Sequence, residues 1–108
     1  MTQSQIHIEE INRRTISLDE IKNKILPILK EAGVKKSSIF GSYVRGDQIE
    51  SSDIDILVEL PKGSSLLDLI GLEIELKKAV GKKVDLLTYN SINPLLKDYI
   101  QKDQLRIL

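Results

Sequence analysis

Residues 53–60, DIDILVEL, constrain the fold of this chain more than any other stretch. Their alternation has the two-residue period of a β-strand. It puts Ile54, Ile56, Val58 and Leu60 on one face and Asp53, Asp55, Leu57 and Glu59 on the other. The first face needs an apolar cover, and the second carries two carboxylates two residues apart. Residues so spaced sit ~6.6 Å apart along a strand, which lets their carboxylates approach to about 5 Å. At an effective dielectric near 20 the repulsion is then roughly 3 kcal/mol. A divalent cation reverses that sign, and a donor set of oxygens alone favours a hard ion, Mg²⁺ or Mn²⁺. The plain alternative is a solvated sheet edge.

The rest of the chain supplies the cover. Ser17, followed three residues later by Glu20, has the form of a capping box. Leu18, Ile21, Ile25, Ile28, Leu29 and Ala32 then recur at helical spacing as far as Gly33, the expected stop. Pro27 interrupts this pattern and is expected to kink or split the helix, because an interior proline costs about 3 kcal/mol. Residues 35–40 read as a short strand, 42–47 as one or two helical turns ending at Gly46, and Pro61-Lys62-Gly63 as a turn. Residues 65–80 predict the strongest helix, with Leu66, Leu69, Leu72, Leu76, Ala79 and Val80 as its buried stripe and Gly81 as its cap.

Residues 83–89 predict a third strand, with Val84, Leu86 and Thr88 opposite Asp85 and Leu87. Pro94 opens a helix over 94–102 with Leu95 and Tyr99 inward and Leu96 as a further candidate, and 104–108 close the chain as an extended tail. The expected class is α/β (α+β): a small mixed β-sheet with helices packed on the Ile54/Ile56/Val58 face. Residues 17–108 make one domain, and residues 1–16 are an N-terminal segment to which no structure is assigned.

Composition narrows the chemistry. A chain of 108 residues has room for one core. It has no cysteine, which excludes disulfides and thiolate metal sites and makes a reducing cytoplasm the simplest home. The one histidine, His7, lies in the N-terminal segment and reads as solvent-exposed, so a zinc site is not expected. Sixteen basic residues balance sixteen acidic ones, which leaves no basic footprint for a nucleic-acid groove. One Phe, three Tyr and no Trp leave little for base stacking. No apolar run reaches the ~18 residues of a membrane span.

Three further features bear on the aspartates. Gly41-Ser42 follows a strand and enters a helical turn, an arrangement that aims backbone N–H groups and a hydroxyl outward as a phosphate site. Arg45 lies one turn on, and Asp85 is a third acid on another strand. Separately, each has an ordinary reading: a tight turn at Gly41, a helix cap at Ser42, a surface residue at Arg45 and a strand-edge charge at Asp85. Lys82-Lys83 read as partners of a helix end, and Tyr43 and Tyr89 as packing residues. Leu57, Leu87 and Leu95 read as core or pocket wall. Taken together, the glycine-serine loop and the acids make a phosphate cradle beside a carboxylate cage, equipment for metal-assisted transfer from a nucleoside triphosphate.

Gly41-Ser42, ten intervening residues and Asp53-Ile54-Asp55 resemble the signature of the DNA polymerase β nucleotidyltransferase superfamily. The words SSIFGSYVRGD and SSDIDILVEL are similar to its minimal nucleotidyltransferase branch, whose members include antitoxins paired with HEPN-domain ribonuclease toxins. The resemblance implies a polymerase β-like fold. It implies that Gly41 and Ser42 hold the β- and γ-phosphates of ATP, with Arg45 near the nucleotide. It implies that Asp53 and Asp55 ligate two Mg²⁺ ions, with Mn²⁺ as a substitute, and that Asp85 ligates the catalytic ion and helps deprotonate the acceptor. The implied function is transfer of AMP to a tyrosine hydroxyl of a cognate HEPN toxin. The alternatives are an antitoxin that masks its partner by binding, and nucleotidyl transfer to a small molecule. Because 108 residues are nearly used up by the catalytic fold, the acceptor is expected to come from another protein.

Overall fold

The computed structural model describes residues 16–108, without the side chains of Leu96 and Tyr99. His7 therefore lies outside the described residues, as do the inward positions expected of Leu96 and Tyr99. Helix α1 (Leu18–Glu31) leads to strand β1 (Lys36–Phe40), a single turn α2 (Ser42–Arg45) and strand β2 (Ile54–Glu59). Helix α3 (Leu66–Val80) then crosses to strand β3 (Val84–Thr88). A 3₁₀ turn (Tyr89–Ser91), helix α4 (Pro94–Lys102) and strand β4 (Gln104–Arg106) finish the chain. The sheet order is β3-β2-β1-β4. β1 runs antiparallel to β2 and to β4, whereas β2 and β3 are parallel. A parallel neighbour needs a crossover, and α3 supplies it.

Both ends of α1 are fixed as the sequence suggests. The Ser17 side chain accepts a hydrogen bond from the Glu20 backbone N–H at 3.1 Å. Ile16, just ahead of the cap, joins the same buried cluster as Ile21, the pairing of a hydrophobic staple. At the other end Gly33 has a φ of 76°, its N–H donates to the Lys30 carbonyl, and the Val34 N–H donates to the Leu29 carbonyl. This is a Schellman closure, with Val34 and Leu29 both buried. The split at Pro27 does not occur: α1 continues through it as one helix. Pro27 and Asn23, whose carbonyl loses its helical partner, both lie on the exposed side, where water can serve that carbonyl. Ile21, Ile25 and Leu29 meanwhile stay buried on the inner side.

The core lies between the sheet and the pair α1 and α3. Ile54, Ile56 and Val58 of β2 meet Ile21, Ile25 and Leu29 of α1 and Leu72, Leu76 and Val80 of α3 in one cluster. Two positions depart from the expected inward sets. Leu66 is 70% exposed. At 3.6 residues per turn it lies about 80° from the centre of the stripe formed by Leu69, Leu72, Leu76 and Val80. Leu95 is 89% exposed. Ile100 is the buried residue of α4, and helical spacing turns Leu95 about 140° away from it.

Two serines of β1 are fully buried and have partners: Ser37 Oγ donates to the Leu57 carbonyl at 2.8 Å, and Ser38 Oγ lies 2.8 Å from the Tyr89 hydroxyl. Lys36 Nζ sits 4.5 Å from the centre of the Tyr89 ring. Tyr89 therefore packs on the sheet face that carries Leu57, a fully buried residue, and leaves the far end of that face to the acids.

Candidate active site

The register of β1, β2 and β3 builds the site. Phe40 pairs with Asp55, and Asp55 pairs with Asp85. Phe40, Asp55 and Asp85 thus stand side by side on three adjacent strands, on the face opposite the main core. The two carboxyls are within hydrogen-bonding reach when one holds a proton. Burial first, then the negative charges of Asp85 and Asp53, push Asp55 up to about 6, and Arg45 pulls weakly the other way.

Asp53 sits one residue before β2 rather than within it. The pairing of Ile54 with Val84 brings Asp53 alongside Lys83, and Lys83 Nζ lies 3.7 Å from Asp53 Oδ2. The neighbouring Lys82 Nζ donates to the Glu50 carbonyl at 2.6 Å. The sequence reading assigned both lysines to a helix end, whereas the structure ties them to the β2 approach. Register would have revealed Lys83 as Asp53's neighbour, but register is not visible before the sheet is assembled.

β1 delivers Gly41-Ser42 to the same place. Gly41 has a φ of 84°, in the left-handed region, and a Cβ built on it would collide with Asp55 Oδ2. Only glycine lets the backbone come this close to the carboxylate. Ser42 then opens α2, in which the Gly41 carbonyl accepts from the Val44 and Arg45 N–H groups at 3.1 Å, and the N–H groups of Ser42 and Tyr43 stand ahead of the helical bonding pattern. Arg45 stands one turn further on, where its Nε lies 3.2 Å from Asp47 Oδ2 and its Nη1 lies 3.5 Å from Asp103 Oδ2. Tyr43 is a core residue whose hydroxyl is raised by burial and then by Asp53, in line with a packing role.

A cleft of about 350 Å³ joins these parts, lined by Gly41, Ser42, Arg45, Ser52, Asp53 and Asp55. Phe40, Ile100 and Asp103 complete it. A second cavity of about 400 Å³ holds Asp85 and shares Phe40, Asp55 and Ile100 with the first. The structure therefore brings Gly41, Ser42, Arg45, Asp53 and Asp55 into one cleft and places Asp85 just across Asp55 from it. Sequence reasoning missed Phe40, Ser52, Ile100 and Asp103 on the walls. Phe40 and Ser52 adjoin Gly41 and Asp53 in the chain, whereas Ile100 and Asp103 carry no local signal and reach the site by tertiary packing.

Among the described residues, no three acidic, histidine or cysteine side chains converge closely enough to hold an ion as they stand. Asp55 and Asp85 face each other, while Asp53 is turned to Lys83. Even so, the donors fit a hard divalent cation: they are all oxygen, and the raised Asp55 records repulsion that a cation would relieve. No helix among the described residues is long and apolar enough to cross a membrane.

Residues 22–107 match the nucleotidyltransferase domain family. The chain is 58% identical over 93 residues to a candidate protein adenylyltransferase of Methanocaldococcus jannaschii, covering 86% of this chain and all of that one. It is 41% identical over 95 residues to the protein adenylyltransferase MntA of Thermococcus cleftensis, covering 84% of this chain and 92% of that one. A crystal structure of a toxin–antitoxin with AMP-PNP superposes with a TM-score of 0.71 at 27% identity, covering 81% of this chain and 72% of that one.

Proposed function

We propose, from the premise that this chain belongs to the nucleotidyltransferase domain family, that it is a Mg²⁺-dependent protein adenylyltransferase. It moves AMP from ATP to a tyrosine hydroxyl of a HEPN-domain toxin, and so acts as the antitoxin of that pair in the cytoplasm. The observation that carries this reading is the packing of the Gly41 backbone against the Asp55 carboxylate. That packing joins a phosphate loop and an acidic cage in one cleft. The likeness to protein adenylyltransferases supports the choice of acceptor class.

In this reading the β- and γ-phosphates of ATP lie on Gly41 and Ser42, with Arg45 at the cleft wall. Asp53, Asp55 and Asp85 are the residues that would hold Mg²⁺, which supplies counter-charge for the transferring and leaving oxygens. Asp53, which faces Lys83 here, would turn from that lysine to hold the ion. Asp85 takes the proton of the acceptor hydroxyl as its oxygen bonds the α-phosphorus. The bond from that phosphorus to the bridging oxygen of the β-phosphate breaks, and pyrophosphate leaves with the electron pair. The protein contributes position and charge, and forms no covalent intermediate.

One observation favours a second reading, in which the chain neutralises its partner by binding alone. Arg45 and Asp53 already have protein partners in Asp47, Asp103 and Lys83. A single experiment separates the two. The chain and its genomic neighbour are incubated with α-³²P-labelled ATP and Mg²⁺, in parallel with an Asp53→Ala/Asp55→Ala variant. Label on the neighbour only with intact aspartates, with mass increments of ~329 Da per AMP, supports transfer. No label, with the neighbour inhibited equally by both versions, makes the chain a binding antitoxin.

A further inference from the structure

A carboxylate stands on either side of the end of β1. Phe40 pairs with Asp55 on one flank and with Gln104 on the other, and the second pairing carries Asp103 to a position opposite Gly41. Asp103 is the C-cap of α4, and its backbone N–H donates to the Ile100 carbonyl at 3.3 Å. Ile100 is the buried residue of that helix, so its last turn is anchored. The Asp103 side chain is 23% exposed and forms part of the cleft wall.

By charge alone Asp103 is misplaced. A carboxylate and the negative C-terminal end of α4 both repel a phosphate held on Gly41-Ser42. Both attract a cation, and the cation beside them is Arg45, whose Nη1 lies 3.5 Å from Asp103 Oδ2. Asp47 meets the Nε of the same guanidinium at 3.2 Å, from a side chain that is 62% exposed. The two contacts differ in kind. Asp47 lies two residues further along and belongs to the same local segment as Arg45. Asp103 comes from 58 residues away on an anchored helix end, and ties the guanidinium to the frame of the sheet. Such partners do not withdraw Arg45 from the nucleotide. A guanidinium carries more N–H donors than these two contacts use, and because it is a rigid plane, fixing two of its nitrogens fixes the direction of the rest.

We infer that Asp103 is a positioning residue for the nucleotide: it holds the Arg45 guanidinium at the cleft wall so that its N–H groups face the triphosphate. This inference rests on the reading of the cleft as a triphosphate site and extends that site to the corner between α4 and β4. It inverts the sign that charge alone gives Asp103. An acid that only repels phosphate weakens ATP binding, so its removal tightens binding. An acid that positions Arg45 does the opposite, and only while Arg45 is present.

The test is a double-mutant cycle on ATP affinity, measured by calorimetry on the full chain with Mg²⁺. Wild type, Asp103→Asn, Arg45→Met and the double variant are compared, with Asp103→Glu and Asp47→Asn alongside. Thermal melts confirm that each is folded. Asp103→Asn alone is expected to weaken ATP binding about fivefold, the upper range for a partly exposed pair, and Asp103→Glu to recover most of the loss. In the Arg45→Met background the same substitution leaves binding unchanged or tightens it about twofold, because only a screened like charge is removed. Unchanged or tighter binding in Asp103→Asn alone, equal losses in both backgrounds, or no recovery in Asp103→Glu overturns the inference. A larger loss in Asp47→Asn than in Asp103→Asn also overturns it and gives the role to Asp47. If the wild type itself does not bind ATP, the triphosphate reading falls and the inference with it; additive losses on a wild type that binds ATP sink the inference alone.

Discussion

The Gly41 backbone lies against the Asp55 carboxylate with no room for a side chain between them. This single approach sets the distance between the phosphate loop at the end of β1 and the acids of β2 and β3. It rests on two features that glycine alone reconciles, a left-handed φ of 84° and contact with a half-buried carboxylate.

Gly41→Ala will therefore be damaging in two ways. The backbone strain and the collision together cost about 1–3 kcal/mol of stability. Relief of the collision moves Asp55 or the loop, so ATP binding weakens beyond what the stability loss explains. Urea denaturation and a nucleotide titration on the same sample check both.

Asp55 makes the stability of the ion-free protein depend on pH. Its folded value of about 6 lies above the ordinary carboxylate value of 3.8, so the folded state holds the proton more tightly than the unfolded chain. The contribution is fully present below the unfolded value and is lost as pH rises through the folded one. Thermal melts in EDTA should show this loss between roughly pH 4 and 6, while Asp55→Asn flattens it and raises the melting temperature at neutral pH. Added Mg²⁺ should stabilise the wild type more at neutral pH than below the Asp55 value, because proton and ion compete for one carboxylate.

Tyr89→Phe removes the partner of a fully buried serine hydroxyl, Ser38 Oγ. The expected cost is about 1–3 kcal/mol. Because Tyr89 stands at the end of the sheet face away from the aspartates, ATP affinity should not change. A denaturation curve and a nucleotide titration separate this structural role from one beside the base; a fall in affinity would argue for the latter.

Helix α3 offers a paired comparison. Leu76→Ala, at a fully buried site, should cost about 2–5 kcal/mol. Leu67→Ala, at a position 77% exposed, should stay within about 0.5 kcal/mol. Equal losses at both positions would mean that the apolar outer side of α3, with Ile70 and Ile74, is covered in solution.

Much of this fold is legible because its signals are local. The Ser17 cap, the Gly33 closure, the Gly81 cap of α3 and the alternation of β2 each depend on residues a few positions apart. The failures also have local causes. Leu66 and Leu95 are apolar residues in the first turns of their helices, and nothing nearby says that the sheet does not extend under them. Pro27 reads as a break because its cost is local, while the burial that outweighs it comes from Ile21, Ile25 and Leu29 meeting a distant sheet.

The same division holds for the site. The sequence alone determined the chemical equipment: a glycine-serine loop, paired aspartates at strand spacing and a third acid on a later strand. Periodicity and turn chemistry are written in neighbouring residues. Only the tertiary structure decided how the parts meet. It set Asp55 in register with Asp85, turned Asp53 to Lys83, pressed Gly41 against Asp55 and opened a second, apolar cavity at Leu87. Those relationships depend on strand register and crossover, which are fixed by the simultaneous burial of one apolar face against two helices, and no short stretch of the chain contains that condition.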